Sequence, residues 1–256
     1  MGIIDTHSHV TYHRLVDRVD EIVKNSLEHN VTRVLIVCCT LEEAEKAIEL
    51  CDQYDIFDMA FGYHPEDADI NYNIDFSDLR RILSHPRCIA LGEIGMDYHY
   101  TKENKEQQKQ LFIRQIELAN ELNLPILIHM RDATLDTIEI LKEYPCKGIM
   151  HCYSGSLETA KILVKMGYYI SFAGPLTFKN AKDAPDVCKW VPLDKIFVET
   201  DAPFLTPHPF RGKENEPFYT YLTFNKVCEI KELDETTLMN QMEENYFNLF
   251  NKAKRR

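Results

Sequence analysis

The fold is decided first by residues 3–9, Ile3-Ile4-Asp5-Thr6-His7-Ser8-His9, an apolar run that ends in two histidines separated by one residue. Side chains two positions apart on a β-strand point to the same face of the sheet. The spacing therefore predicts that His7 and His9 reach one metal ion from the end of a single strand. Two surface histidines near a terminus would produce the same pattern, so the rest of the chain has to separate the two interpretations.

Apolar runs of similar length recur along the chain, and each is typical of a strand buried on both faces of a parallel sheet. With the first run they occupy residues 2–9, 33–39, 58–65, 89–97, 124–131, 148–155, 168–175 and 196–203. Apolar residues at helical spacing fall between or after them, over 41–54, 104–123, 135–144, 156–166, 180–190, 219–230 and 235–250. Eight strands alternating with helices predict an α/β fold, a TIM (β/α)8 barrel, with residues 1–256 as a single domain.

The competing architecture is an open, doubly wound sheet. That fold normally carries a glycine-rich phosphate-binding turn after its first strand. Here the first strand is followed by His7-Ser8-His9 instead, so the barrel is favoured.

Composition limits the classes of function. The chain has 256 residues, a net charge of −12 and eight cysteines without a paired CxxC zinc pattern. No secretory signal and no apolar run of membrane-spanning length are present, so we expect a cytoplasmic protein with reduced thiols and no membrane partner. No feature indicates an obligate protein partner. The negative charge does not attract a polyanion over long range, so any contact with DNA must rest on a local basic patch or on metal ions.

Histidines and carboxylates are concentrated at the predicted carboxyl ends of the strands, where barrel enzymes carry their chemistry. Five of the ten histidines fall there, which scattered core histidines would not do. The set comprises His7, His9, His64, Glu93, His129, His151 and Asp201. Mixed nitrogen and carboxylate ligands suit Mg²⁺, Mn²⁺, Co²⁺ or Zn²⁺. Two ions usually need a bridging carboxylate, and Glu93 on the fourth strand is the natural bridge.

Each of these residues also has a purely structural interpretation. Glu93 could be a core carboxylate paired with Arg131, Asp201 could cap a helix, and His64 could bond a neighbouring loop. These interpretations require a separate explanation for every residue, whereas a metal site explains the residues together.

The motifs taken together resemble the TatD family of metal-dependent hydrolases, within the amidohydrolase-like barrel superfamily. They are residues 4–9, Gly62-Tyr63-His64-Pro65, residues 92–98, residues 124–131, residues 151–155 and Glu199-Thr200-Asp201-Ala202-Pro203. The resemblance implies deoxyribonuclease activity, usually 3′-to-5′ exonuclease action, and a site for two divalent metal ions. It implies that His7, His9, Glu93 and Asp201 hold one ion, while Glu93, His129 and His151 hold the other.

The favoured hypothesis is therefore a phosphodiester hydrolase acting on DNA, with Asp201 and Glu93 as its catalytic residues. Asp201 would accept a proton from the attacking water. The phosphate oxygens would be held by four candidate residues, His64, Arg131, Lys179 and Arg211. Two alternatives remain: an amidohydrolase or esterase acting on an acyl bond, such as an aminoacyl-tRNA deacylase, and a non-catalytic binding protein on a retained barrel.

Overall fold

The computed structural model describes residues 2–99 and 103–255, and its centre is an eight-stranded parallel sheet whose strands follow their order in the chain. The strands are β1 (Ile3–Ser8), β2 (Val31–Cys38), β3 (Phe57–Phe61), β4 (Cys88–Asp97), β5 (Ile126–Arg131), β6 (Gly148–Met150), β7 (Tyr169–Phe172) and β8 (Ile196–Val198). The sheet nearly closes, because the backbone N–H of His9 donates to the carbonyl of Ala202 at 2.8 Å and that of Asp201 to the carbonyl of His7 at 2.9 Å. The predicted (β/α)8 barrel is confirmed.

Helices connect the strands and cover the outside of the barrel. They are α1 (Val19–Glu28), α2 (Leu41–Gln53), α3 (Ala68–Asn71), α4 (Ser77–Leu83), α5 (Lys105–Glu121), α6 (Thr134–Glu143), α7 (Leu157–Lys165), α8 (Ala184–Trp190), α9 (Thr220–Lys231) and α10 (Glu235–Leu249). The helical spacing of apolar residues did not predict α1, α3 and α4. The last two helices are too short to display a helical period. Within the described ranges, no helix is long and apolar enough to cross a membrane.

Several predicted strands extend too far at their carboxyl ends. The paired part of β3 stops at Phe61 rather than at residue 65, and that of β8 stops at Val198 rather than at residue 203. The residues that follow, such as Gly62 and Thr200, remain buried although they leave the sheet. The apolar character of the stretches that follow β3 and β8 reflects burial under the loops and not strand pairing. At these points the chain leaves the sheet, and the polar side chains that follow lie at the mouth of the barrel.

Candidate metal centre

A cavity of about 720 Å³ opens at the carboxyl end of the barrel, and the predicted ligands meet there. Its lining includes His9, His64, Glu93, His129, His151 and Asp201. His7 is fully buried beneath them, with its Nε2 atom 3.4 Å from Oε2 of Glu93. The structure therefore brings all six predicted metal ligands to one place, together with His64.

Glu93 reaches the centre of the cavity because β4 shifts its register against β5 at this point. Leu91 pairs with Ile126 and Ile94 with Ile128, so three steps along β4 match two along β5. An extra residue of this kind bends a strand and redirects a side chain. Gly95 allows the strands to stay close, since a Cβ atom there would lie only 2.0 Å from the carbonyl oxygen of His129.

The first set of donor atoms surrounds Oε2 of Glu93. His7 Nε2 and His9 Nε2 lie 3.3 Å apart, and they are 3.4 and 3.8 Å from this oxygen. Oδ1 of Asp201 completes the set at 3.9 Å from His7 and 3.6 Å from His9. The pairing of His7 with His9 agrees with the spacing of two residues in the sequence.

The second set surrounds Oε1 of the same carboxylate. His129 Nδ1 lies 2.7 Å from it and His151 Nε2 lies 2.6 Å from it, while these two nitrogens are 3.3 Å apart. The Nε2 atom of His64 stands further off, at 3.7 Å. The two oxygens of Glu93 thus face two separate groups of donors.

A hydrogen bond on the outer side of His9 fixes which of its ring nitrogens carries the proton. The carbonyl of Val37 can only accept, so Nδ1 of His9, 3.0 Å away, carries the proton. Nε2 of His9 then faces two carboxylates, Glu93 at 3.8 Å and Asp201 at 3.6 Å. A shared cation satisfies such an arrangement. Nitrogen and carboxylate donors in this combination fit a divalent metal ion.

Two further carboxylates orient two of the other histidines. Asp97 Oδ2 lies 2.8 Å from Nε2 of His129, and Glu199 Oε1 lies 3.2 Å from Nδ1 of His151. Outer partners of this kind fix which nitrogen faces a metal and make it more basic. Asp97 and Glu199 were not among the predicted site residues. The signal was available, because each lies within four residues of a predicted ligand.

Asp5 supports the closure of the barrel beside the first set. Its carboxylate accepts hydrogen bonds from the backbone N–H of Thr200 at 2.9 Å, from the Thr200 hydroxyl at 2.6 Å and from the backbone N–H of His7 at 3.2 Å. Burial raises the pKa of Asp5 to about 8, although these donors lower it. Asp5 therefore ties the strand end that carries His7 to the turn that carries Asp201.

The charges of the cavity are strongly coupled. Burial would raise the pKa of Glu93, but the neighbouring histidines, led by His151, hold it well below its ordinary value. Burial opposes protonation of His151, but the carboxylates of Glu93 and Glu199 raise its pKa well above its ordinary value. Burial also disfavours the carboxylate of Asp201, yet a hydrogen bond from His9 and the nearby histidines lower its pKa. Asp201 and Glu93 are therefore carboxylates at neutral pH.

The four predicted phosphate-binding residues lie in two different surroundings. His64 and Arg131 line the cavity of the metal centre. Lys179 and Arg211 are exposed and are not among the described residues that line it. The guanidinium of Arg211 instead covers the ring of Phe178, with its Cζ atom 4.0 Å from the ring centroid.

Comparison with known proteins adds three findings. A model of the family described as TatD related DNase matches residues 4–251. The uncharacterized metal-dependent hydrolase YabD of Bacillus subtilis (strain 168) is 41% identical over 251 residues, which cover 97% of this chain and 98% of YabD. The crystal structure of YjjV, a TatD homologue from Escherichia coli K12, superposes with a TM-score of 0.90 at 26% identity, covering 97% of this chain and 98% of YjjV.

A more distant similarity concerns the fold alone. A mutant of a PTE-like lactonase from Deinococcus radiodurans superposes with a TM-score of 0.64 at 12% identity, covering 97% of this chain and 95% of the lactonase.

Proposed function

Because the chain belongs to the TatD family of metal-dependent hydrolases, we propose that this hydrolase is a deoxyribonuclease that removes nucleotides from the 3′ end of DNA and uses two divalent metal ions. The single observation that carries the proposal is the division of Glu93 between two donor sets, with Oε2 near His7 and His9 and Oε1 near His129 and His151. A shared carboxylate between two histidine pairs is suited to a two-metal hydrolase.

His7, His9, Glu93 and Asp201 would hold one ion, and Glu93, His129 and His151 would hold the other. When bound, such ions polarise a phosphoryl oxygen and lower the pKa of a water molecule. The side chains contribute position and charge, because Asp97 and Glu199 keep His129 and His151 in fixed orientations.

Asp201 would receive the proton of the attacking water. Its carboxylate lines the cavity, and its lowered pKa keeps it ionised at neutral pH. Its backbone adopts a left-handed conformation, with φ of 59°, at the turn that follows β8. Aspartate tolerates this conformation better than most residues, so the turn can present a carboxylate beside His7 and His9.

His64 is suited to binding a phosphate oxygen. Its Nδ1 atom accepts a hydrogen bond from the backbone N–H of Glu66 at 3.2 Å. In neutral His64 the proton must therefore sit on Nε2, which faces the cavity 3.7 Å from Glu93. An N–H group at this position donates to an oxygen and does not ligate a metal. Arg131, on the same cavity wall, offers a second donor, and this one carries a positive charge.

The deciding experiment is a substrate panel with metal-stripped protein reconstituted separately with Mg²⁺, Mn²⁺, Co²⁺ and Zn²⁺. The substrates are single-stranded DNA, duplex DNA, RNA, simple acyl esters and aminoacyl-tRNA, with the DNA labelled at either its 3′ or its 5′ end. We expect metal-dependent release of mononucleotides from the 3′ end and about two ions per chain. Hydrolysis of acyl substrates without cleavage of DNA would replace this proposal with the esterase alternative, and full activity in chelator would overturn both.

A further inference from the structure

Glu199 is a buried carboxylate directly after β8, and one of its two oxygens is not used by the contacts described above. Its Oε1 atom lies 3.2 Å from Nδ1 of His151 and accepts a hydrogen bond from the backbone N–H of Cys152 at 2.7 Å. Its Oε2 atom is buried and has no hydrogen-bond partner among the residues that the structure describes. A buried acceptor that is left unpaired destabilises a fold, so this oxygen calls for a donor.

His7, at the end of β1, has the complementary requirement. Its Nδ1 atom is also buried and, within the described ranges of the chain, has no hydrogen-bond partner. Its Nε2 atom faces Oε2 of Glu93 at 3.4 Å, on the side where a metal ligand is needed. Neutral imidazole carries a single proton, so use of Nε2 as a ligand places that proton on Nδ1. Metal-ligating histidines almost always donate this second N–H to an acceptor.

The ring of His7 packs against the ring of His151, which is itself bonded to Glu199. The two ring centroids lie 4.0 Å apart, and the planes are inclined by only 19°. Burial lowers the pKa of His7, and the charge of Glu199 is near enough to oppose this effect. A buried donor that needs an acceptor and a buried acceptor that needs a donor therefore lie on either side of one histidine.

We propose that Glu199 is a positioning residue for both metal ions: its Oε1 atom holds His151 of the second donor set, and its Oε2 atom holds His7 of the first set through one buried water molecule. Buried waters commonly join polar groups that are otherwise unsatisfied. The inference rests on the two-ion site of the proposed function and adds a link between its halves. Glu93 joins the two donor sets on the inner side of the histidines, and Glu199 joins them on the outer side.

The test isolates the first donor set in a His129→Ala background, which removes a ligand of the second set and leaves the first set complete. Glu199→Gln, Glu199→Asp and Asp97→Asn are each added to this background. Asp97→Asn is the matched control, because Asp97 is also a buried carboxylate and bonds the ring of His129, which the background lacks. Thermal unfolding verifies that each variant is folded.

The metal-stripped proteins are titrated with Co²⁺, and binding is followed by visible absorption. Glu199→Gln should raise the Kd of the remaining ion about 10- to 100-fold, the usual cost of losing an outer partner of a metal ligand. Its amide keeps an oxygen for His151 but turns an NH₂ group towards His7. Glu199→Asp should also raise the Kd, because the shorter side chain does not reach both histidines. Asp97→Asn should leave the Kd unchanged.

An unchanged Kd in Glu199→Gln would overturn the inference, because Glu199 would then serve His151 alone. A Kd that rises in Glu199→Gln and not in Glu199→Asp would overturn it as well, because the charge without the position would explain the loss. The single variants of the otherwise unchanged enzyme provide a second measurement if a double variant does not fold. There, Glu199→Gln should weaken both binding steps and Asp97→Asn one, and an effect of Glu199→Gln on one step alone would contradict the proposal.

The titrations contain no DNA, so they separate this inference from the proposed substrate. A protein that binds two ions with the expected variant effects and cuts no DNA would overturn the proposed deoxyribonuclease function and support the role of Glu199. A wild type that binds no Co²⁺ would overturn the two-ion site and this inference with it.

Discussion

The floor of the barrel holds a second buried cluster of charge, and it differs from the mouth in where its positive charge comes from. At the floor, the carboxylate of Asp58 accepts hydrogen bonds from Arg33, from Arg87 at 3.1 Å and from the hydroxyl of Tyr246 at 2.9 Å. The ring of Tyr246 also packs against the guanidinium of Arg33. The chain therefore supplies every partner of Asp58, and this cluster links β2 and β3 to α10.

At the mouth, the carboxylates face histidines, which are positively charged only while they carry an extra proton. The Glu93 carboxylate is surrounded by histidine nitrogens whose outer sides are already directed at Val37, Asp97 and Glu199. Among the described residues that line the cavity, Arg131 is the one arginine or lysine. The difference teaches that buried charge alone does not identify a functional site. A cluster that contains its own cations stabilises the fold, whereas one that lacks them is suited to binding ions.

The largest expected effect comes from Glu93→Gln, which removes the shared charge of the mouth. Both ions would lose a ligand, and metal catalysis contributes several kcal/mol, so kcat should fall on the order of 10⁴-fold. Metal analysis of the purified variant should show less than two ions per chain. At pH 6 the melting temperature of the metal-stripped variant should lie below that of the metal-stripped wild type, because protonated His129 and His151 lose a carboxylate that stabilises their charge. A fully active Glu93→Gln variant would contradict the assignment of the bridge.

Asp201→Asn separates proton transfer from metal binding within the mouth. The amide keeps one oxygen ligand but loses the charge and basicity, so kcat should fall by about 10²- to 10⁴-fold. His151→Ala is the comparison, because it removes a ligand and excess metal should partly restore its activity. Turnover of both variants is measured across a metal titration. If excess metal returns Asp201→Asn to wild-type turnover, Asp201 is only a ligand.

Asp58→Asn breaks the cluster at the floor and should act on stability alone. Removing one partner of a buried ion pair costs about 3–5 kcal/mol, because the remaining charge is left without compensation. Chemical denaturation should report this loss in the free energy of unfolding. The kcat of the folded variant and its metal content should equal those of the wild type. A loss of bound metal in this variant would show that the two clusters are not independent.

The smallest effect is a difference in pH dependence. Burial lowers the pKa of His129 and His151, but nearby carboxylates outweigh it and raise both above the ordinary value of 6.5. Their stabilising contribution is therefore complete below about pH 6.5 and is lost as the pH rises through the folded-state pKa values. The melting temperature of metal-stripped protein should fall as the pH rises above 6.5.

Bound metal should remove this trend, because the ions replace the protons on the histidines and stabilise the folded state. Asp58→Asn should show the same pH trend as the wild type, because an arginine such as Arg33 stays charged throughout this range with or without a carboxylate partner. A metal-stripped wild type whose melting temperature does not change between pH 6 and 8 would contradict the coupling at the mouth.

The sequence alone determined the barrel and the location of its site. Strands of a parallel barrel are buried on both faces, so each leaves an apolar run that can be recognised locally. The carboxyl ends of such strands must meet at one face, which is why residues as distant as His7 and Asp201 could be assigned to one cluster. The spacing of His7 and His9 even predicted that their side chains meet.

Only the tertiary structure decided how those side chains are used. The two oxygens of Glu93 face different donors because β4 shifts register against β5, which depends on contacts between strands. The position of the proton on neutral His64 depends on the backbone N–H of Glu66, which donates to its Nδ1 atom, and not on its own residue type. The guanidinium of Arg211 lies 4.0 Å from the ring centroid of Phe178, a residue 33 positions earlier in the chain. Such features are set by atoms that meet only after folding, so no local pattern encodes them.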